Sequence, residues 1–325
     1  MFDKSNVLVS GSAGLTGHEA VMQLLDRGAY VRATVFNDPS SEHRQLDISH
    51  PNLEIVPCDL VSYEDASKVV RDMDYVVNCT AFICGAKGQT EGPWKLIRKN
   101  LVPYINLIEA ACIAKVKRFA FIGSSTMYPD RGSSLLSEHD AFEGEPPPCY
   151  EGFGWMKRYC EKVCKHFHFV TDTKFALIRT AAIYGPHASF DPDKCHVVPA
   201  IILKAHNKLD PFPVWGNGNQ ERDFIYVSDL IDGLLTVLEK HSEADPINIS
   251  TGKGSSINKL VQTITKEYNY EPHIEYHIDM PDMSPIRILN VKKAKDILKW
   301  QSSISLETGI NKTVSWYKKQ RGDHV

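Results

Sequence analysis

The chain has 325 residues, 42% of them hydrophobic and 24% charged, with a formal net charge of -3. That length can bury a large core and suits about two domains, and no apolar run approaches the roughly 20 residues of a membrane span. The near-even charge balance, without a Lys/Arg stripe, argues against a nucleic-acid partner, whose phosphates call for clustered cations.

The N-terminus, Met1 to Asn6, lacks the basic and apolar stretches of a secretory signal, so a cytoplasmic location is expected. Eight cysteines, at 58, 79, 84, 112, 149, 160, 164 and 195, show no CxxC pairing and read as reduced thiols. Cys160 and Cys164 would share a helix face, but with no further ligand at matching spacing they read as packing residues rather than a metal site.

From the start, short apolar runs alternate with helical patterns. Strands are expected at Asn6–Val9, Tyr30–Phe36, Glu54–Val56, Tyr75–Val77, Arg118–Gly123 and Phe175–Thr180. Helices are expected at Gly17–Arg27, Ser62–Arg71, Asn100–Ala114 and Gly154–His166. This order implies βαβ units and one doubly wound parallel sheet of Rossmann type, class α/β. After Tyr184-Gly185-Pro186 the chain turns rich in Pro, Gly and Asn and should leave that sheet, with a helix at Val198–Asn207. A strand at Asp223–Val227 and a helix at Asp229–Lys240 read as a return to the main domain. Helices near Ile257–Tyr268 and Val291–Leu298 belong to the rest. The expected division is therefore a dinucleotide-binding domain of residues 1–184 plus about 222–250, and a smaller α/β substrate lobe of about 185–221 and 251–325.

Gly11-Ser12-Ala13-Gly14-Leu15-Thr16-Gly17 sits between the first strand and the first helix. Glycines so spaced allow a tight turn, close approach to a pyrophosphate and close helix–sheet packing, and the helix N-terminus adds unpaired N–H groups. A carboxylate closing the second strand would bind the ribose 2'-hydroxyl of NAD and repel the 2'-phosphate of NADP. Here Phe36 is followed by Asn37 and Asp38, with Arg32, His43 and Arg44 nearby, so the balance leans to NADP over NAD.

Together with that turn, Cys58-Asp59-Leu60, Asn100, Phe121 to Tyr128 and Arg179 to Pro186 resemble the extended short-chain dehydrogenase/reductases that modify nucleotide sugars. Tyr184-Gly185-Pro186-His187, Cys195 to Ala200, Val214-Trp215-Gly216-Asn217-Gly218, Arg222-Asp223-Phe224, and Pro281-Asp282 followed by Arg287 are most similar to the GDP-L-fucose synthase-like members. The resemblance covers nearly the whole chain. It implies NADP or NAD as cofactor, a nucleotide-diphosphate sugar as substrate, and a homodimer formed through the helices after Asn100 and Phe153. By the same resemblance, Gly11, Ala13, Gly14, Leu15, Gly17, Asn37, Asp59, Leu60, Ala81, Asn100 and Lys157 surround the cofactor. Ser124 supplies the catalytic hydroxyl. Ser125, His187, Trp215, Arg222 and Arg287 contact the substrate, the two arginines as a diphosphate clamp. Taken alone, Asp59 could equally cap a turn and Asn100 could equally be a helix N-cap.

The family's catalytic tyrosine and lysine stand four residues apart, one helical turn. This chain has Phe153-Gly154-Trp155-Met156-Lys157, so the lysine is kept and the phenol oxygen is lost. Removing a general acid/base typically costs about 10²–10⁴ in rate. Three readings stay open: an engineered change that traps substrate, a natural one served by Tyr150 or water, or a protein that binds without turnover. The family's epimerising members pair a cysteine with a loop histidine. His196 matches the histidine, but the cysteine position holds Thr126, a far poorer proton acceptor than a thiolate.

Overall fold

The computed structural model describes residues 1–36, 46–83, 93–132, 134–279 and 285–322. The first strand, β1 (Asn6–Ser10), is almost fully buried, as expected of a parallel strand covered on both faces. Val7 and Val9 point into one apolar layer and Leu8 into the other.

Around β1 assemble β2 (Tyr30–Val35), β3 (Leu53–Pro57), β4 (Tyr75–Asn78), β5 (Arg118–Ser124), β6 (Lys174–Thr180) and β10 (Ile247–Asn248). They make a seven-stranded parallel sheet in the order β10-β6-β5-β4-β1-β2-β3. After β3 the chain crosses to the other side of β1, so the strand order reverses between β1 and β4. Such a switch point opens a crevice at the carboxyl ends of the strands.

Helices α1 (Leu15–Asp26) and α6 (Val227–Lys240) pack on one face. On the other lie α2 (Tyr63–Val69), α3 (Pro93–Ile113) and α4 (Glu151–Val170). Two smaller sheets lie outside the large one. Strand β9 (Glu221–Tyr226) pairs with β11 (Gly254–Ser256) antiparallel, and with β7 (Ala182–Tyr184) and β13 (Ile286–Arg287) parallel. Strand β8 (Phe212–Trp215) pairs with β12 (Ile274–His277). Helices α5 (Val197–His206), α7 (Ile257–Glu267) and α8 (Leu306–Arg321) share a separate apolar cluster with residues of β8 and β9.

Two sequence expectations need correction, and one helix was not expected. The strand expected at 223–227, at the return to the main domain, pairs in the β9 sheet rather than the large one, which the chain rejoins at β10. The helix expected over 291–298 is a π-helical turn, Ala294–Leu298. Helix α8, whose buried Ile310, Val314 and Tyr317 follow a 3–4 spacing, has no counterpart among the expectations.

Candidate active site

The glycine turn comes first along the chain. Gly11 has φ 65°, and a Cβ there would stand 2.9 Å from the Cys79 carbonyl oxygen beyond β4. A Cβ on Gly17 would stand 2.1 Å from the Gly11 oxygen, so turn and helix touch only because both residues lack side chains. Gly14 precedes α1 without a side-chain cap, leaving first-turn N–H groups and the positive end of the helix to an anion, with Ala13 and Leu15 beside them. Across the switch point, Asn78 Nδ2 and Thr80 Oγ1 are buried with no partner among the described residues. An uncapped helix and orphaned polar atoms beside it fit a ligand rich in acceptor oxygens.

At the end of β2, Phe36 is exposed. Arg32 is committed elsewhere: it binds Glu54 Oε2 at 2.7 Å and the carbonyls of Val69 and Arg71 at 3.1 and 2.9 Å. Its Nε and one terminal nitrogen are thus held by protein, which leaves this guanidinium less to offer a 2'-phosphate. Asn37, Asp38, His43 and Arg44 lie outside the described residues, as do Cys84, Pro281 and Asp282.

Asp59 is exposed, and its Oδ1 accepts from the Val61 N–H at 3.0 Å, holding the turn after β3. Leu60 is buried beside it, its carbonyl accepting from Asn106 at 3.0 Å. Asn100 is neither the opening of its helix nor an N-cap. It sits inside α3, fully buried, donating to the Phe82 and Leu96 carbonyls at 2.9 and 2.8 Å and accepting from the Phe82 N–H at 3.0 Å. This two-way clamp fixes the peptide next to Ala81, which is exposed.

Ser124 ends β5, and its Oγ accepts from the Thr126 hydroxyl at 2.9 Å and the Thr126 N–H at 3.2 Å. Helix α4 comes close to this turn because residue 154 is glycine: a Cβ there would stand 2.5 Å from the Thr126 carbonyl oxygen. Phe153 is half-buried against the apolar layer under α3 and α4. One turn on, Lys157 is only 5% exposed, donates to Tyr104 Oη at 2.7 Å and to the Ile122 carbonyl at 2.9 Å, and burial pushes its ammonium down to about 8. Tyr104 escaped the sequence reading. Its one signal is a position four residues past Asn100, on the same face of α3.

Arg222 and Arg287 face each other in register on β9 and β13. Arg287 is buried and bonds to Asp130, to the Tyr128 carbonyl at 2.8 Å and to the Ser125 carbonyl. Its guanidinium lies 5.1 Å from the Tyr150 ring centre. Burial pushes the Tyr150 phenol up, and the charges of Arg222 and Arg287 oppose that rise. Two adjacent guanidiniums next to the Ser125 backbone suit a diphosphate.

The remaining three candidates lie on other elements. His196 precedes α5 and is exposed, and desolvation by the surrounding protein lowers its pKa. His187, at φ 63°, stacks on His18 of α1 with ring centres 3.6 Å apart and lies against Trp316 of α8. Trp215 is exposed at the end of β8. Among the described residues, the candidate metal cluster of His139, Asp140 and Glu143 includes neither Cys160 nor Cys164, both of which are buried in the core.

Residues 7–250 match the model of the NAD dependent epimerase/dehydratase family. The chain belongs to that family. It is 27% identical to GDP-L-fucose synthase 1 of Arabidopsis thaliana over 98% of this chain and 95% of that protein. It is also 27% identical to GDP-mannose 3,5-epimerase 1 of Oryza sativa subsp. indica, over 98% of this chain and 83% of that one. In fold it is similar to the UDP-glucose 4-epimerase of Thermotoga maritima solved with UDP-glucose, with a TM-score of 0.83 at 23% identity, covering 97% and 99% of the two chains.

Proposed function

We propose that this chain binds NADP or NAD together with a nucleotide-diphosphate sugar, most closely a GDP-sugar, and acts by oxidation or reduction at sugar C4. What carries the reading is a convergence on the end of β5. Lys157 bonds the Ile122 carbonyl, Thr126 bonds Ser124, and Arg287 bonds the Ser125 and Tyr128 carbonyls. A cofactor anchor, a hydroxyl and a diphosphate clamp thus hang from one strand end beside the glycine turn.

The cofactor, when bound, supplies or accepts the hydride. Gly11, Gly14 and the start of α1 hold its diphosphate, with Asp59 and Leu60 at the adenosine end and Ala81 on the peptide that Asn100 clamps. Lys157 has three donors and spends two inside the protein, leaving one for a ribose hydroxyl. Ser124 Oγ, already accepting from Thr126, directs its own proton at the sugar oxygen. Arg222 and Arg287 hold the sugar diphosphate, with Ser125, His187 and Trp215 as further contacts. Phe153 cannot exchange a proton, so the sugar oxygen lacks its usual carrier and turnover is slow. His196 with Thr126 is a weak pair for moving a carbon-bound proton, so epimerisation is the lesser activity.

Phe153 favours a second reading, in which the protein keeps both ligands and performs no chemistry. A cytoplasmic location and a homodimer complete the proposal. The free thiols, Cys58, Cys79, Cys112, Cys149, Cys160, Cys164 and Cys195 among the described residues, suit a reducing compartment. Titration by NADPH and NADH fluorescence, followed by thermal shift with GDP-, UDP-, CDP- and dTDP-sugars, tests the binding claims. The expected result is saturable cofactor binding and a sugar-nucleotide shift largest for a GDP-sugar; no affinity for either dinucleotide in either redox state overturns the proposal.

A further inference from the structure

Lys157 Nζ stands 4.4, 5.2 and 5.7 Å from the ring centres of Tyr104, Phe121 and Phe153. Three rings from α3, β5 and α4 thus surround one ammonium, and one of them is the residue that lacks a phenol. Tyr104 does more than pack, because its Oη takes one of the ammonium's hydrogen bonds. Building on the function above, we propose that Tyr104 is the positioning residue for Lys157 and Phe153 a wall of the box around it. Tyr104 then sets the proton balance of Lys157, which remains the cofactor anchor of the proposed function.

The charged form of Lys157 is favoured by the Tyr104 oxygen and by the ring faces, and disfavoured by burial. Burial wins, and the ammonium falls to about 8. The titratable neighbours leave Lys157 as the group that changes charge. On its own helix, the Cys160 thiol is pushed up to about 11 and the Cys164 thiol well above its ordinary value, in both cases by burial, so both stay neutral. From α3, Tyr104 is held well above the ordinary phenol value by burial, so it stays protonated and keeps an oxygen lone pair for Lys157. Beyond β4, Cys79, which acts on Tyr104, is pushed up to about 12 by burial. Strand β5 offers the Phe121 ring and the Ile122 carbonyl, neither of which titrates.

The sign follows directly. Nζ is charged below about 8 and neutral above it, and removing the Tyr104 hydroxyl takes away an acceptor that the charged form binds more strongly than the neutral one. The Tyr104→Phe variant, which keeps the ring, should therefore titrate lower, by about one pH unit for a hydrogen bond to a charged group. Protein labelled with ¹³C at lysine Cε reads this without any cofactor, the Lys157 resonance being the one missing from Lys157→Met. A wild-type midpoint near 8 that falls in Tyr104→Phe, with the other lysine resonances unmoved, is expected. A wild-type midpoint at the ordinary lysine value of about 10.4 overturns the proposal with no variant needed, and so does an unmoved midpoint in Tyr104→Phe. Dinucleotide affinity of the same samples is measured separately, so failure of the functional reading stays distinguishable.

Discussion

On the proposed function, one oxygen atom separates Phe153 from a catalytic tyrosine, and that oxygen decides what the site can do. The phenylalanine ring keeps the packing under α3 and α4 and stands 5.7 Å from Lys157, so Phe153→Tyr should fold as the parent does. It places an exchangeable proton one helical turn before Lys157. The variant should raise sugar-dependent turnover by about 10²–10⁴, the usual worth of a general acid/base. Nicotinamide absorbance in the presence of GDP-sugars reads the gain. If the variant binds both ligands and still leaves the absorbance unchanged, the enzyme reading fails and the binding protein remains. Arg32 teaches a complementary lesson. Its place in the sequence suggested a phosphate contact, yet a strand-pairing carboxylate and two carbonyls had already claimed it.

Helix α4 carries Phe153 and Lys157, and two kinds of packing aim it. At its start, Gly154 lets it close on the Thr126 carbonyl. Further along, Glu161 is fully buried and meets Arg179 of β6 with two bonds of 2.8 Å, while Arg179 also bonds the Tyr128 hydroxyl and the Glu138 carbonyl. Burial alone would push the Glu161 carboxyl up, but Arg179 and Lys165 outweigh it and hold the group below its ordinary value. Glu161→Ala leaves Arg179 buried without its carboxylate, so a loss of about 3–5 kcal/mol is expected, read from urea denaturation midpoints. Because the folded-state pKa is depressed, this stabilisation is present at neutral pH and fades as pH falls below the ordinary Glu value of about 4.3. A loss that persists undiminished in acid would show that the pair's charge is not its source. Helix α4 was legible in outline because its apolar spacing is local. The Glu161–Arg179 and Lys157–Tyr104 contacts were not, since each joins elements that sequence periodicity cannot bring together. Strand β9 was misplaced for a similar reason: its buried run reads alike in either sheet, and only its partners decide.

Across the whole molecule, α3 and α4 pack side by side over one face of the large sheet, and their outer surface carries several exposed apolar side chains. Trp155 is 44% exposed, Tyr159 56% and Phe169 82%, at spacings that keep them along one side of α4, and Ile113 stands out at the end of α3 at 67%. Large apolar side chains gathered on one helical pair mark an interaction surface rather than ordinary surface scatter. A second copy is the simplest occupant, because a two-fold axis would set each helix pair against its equal. Light scattering at micromolar concentration should give twice the 36.6 kDa of one chain, and a single-chain mass there would rule the dimer out. Tyr159→Glu combined with Phe169→Glu puts charges on solvent-facing positions that the core does not use. It should return the mass to one chain while leaving the thermal transition of the α/β core in place. Loss of that transition together with the dimer would mean that the two helices need each other's copies to stay folded, which ties the placement of Lys157 and Tyr104 to assembly.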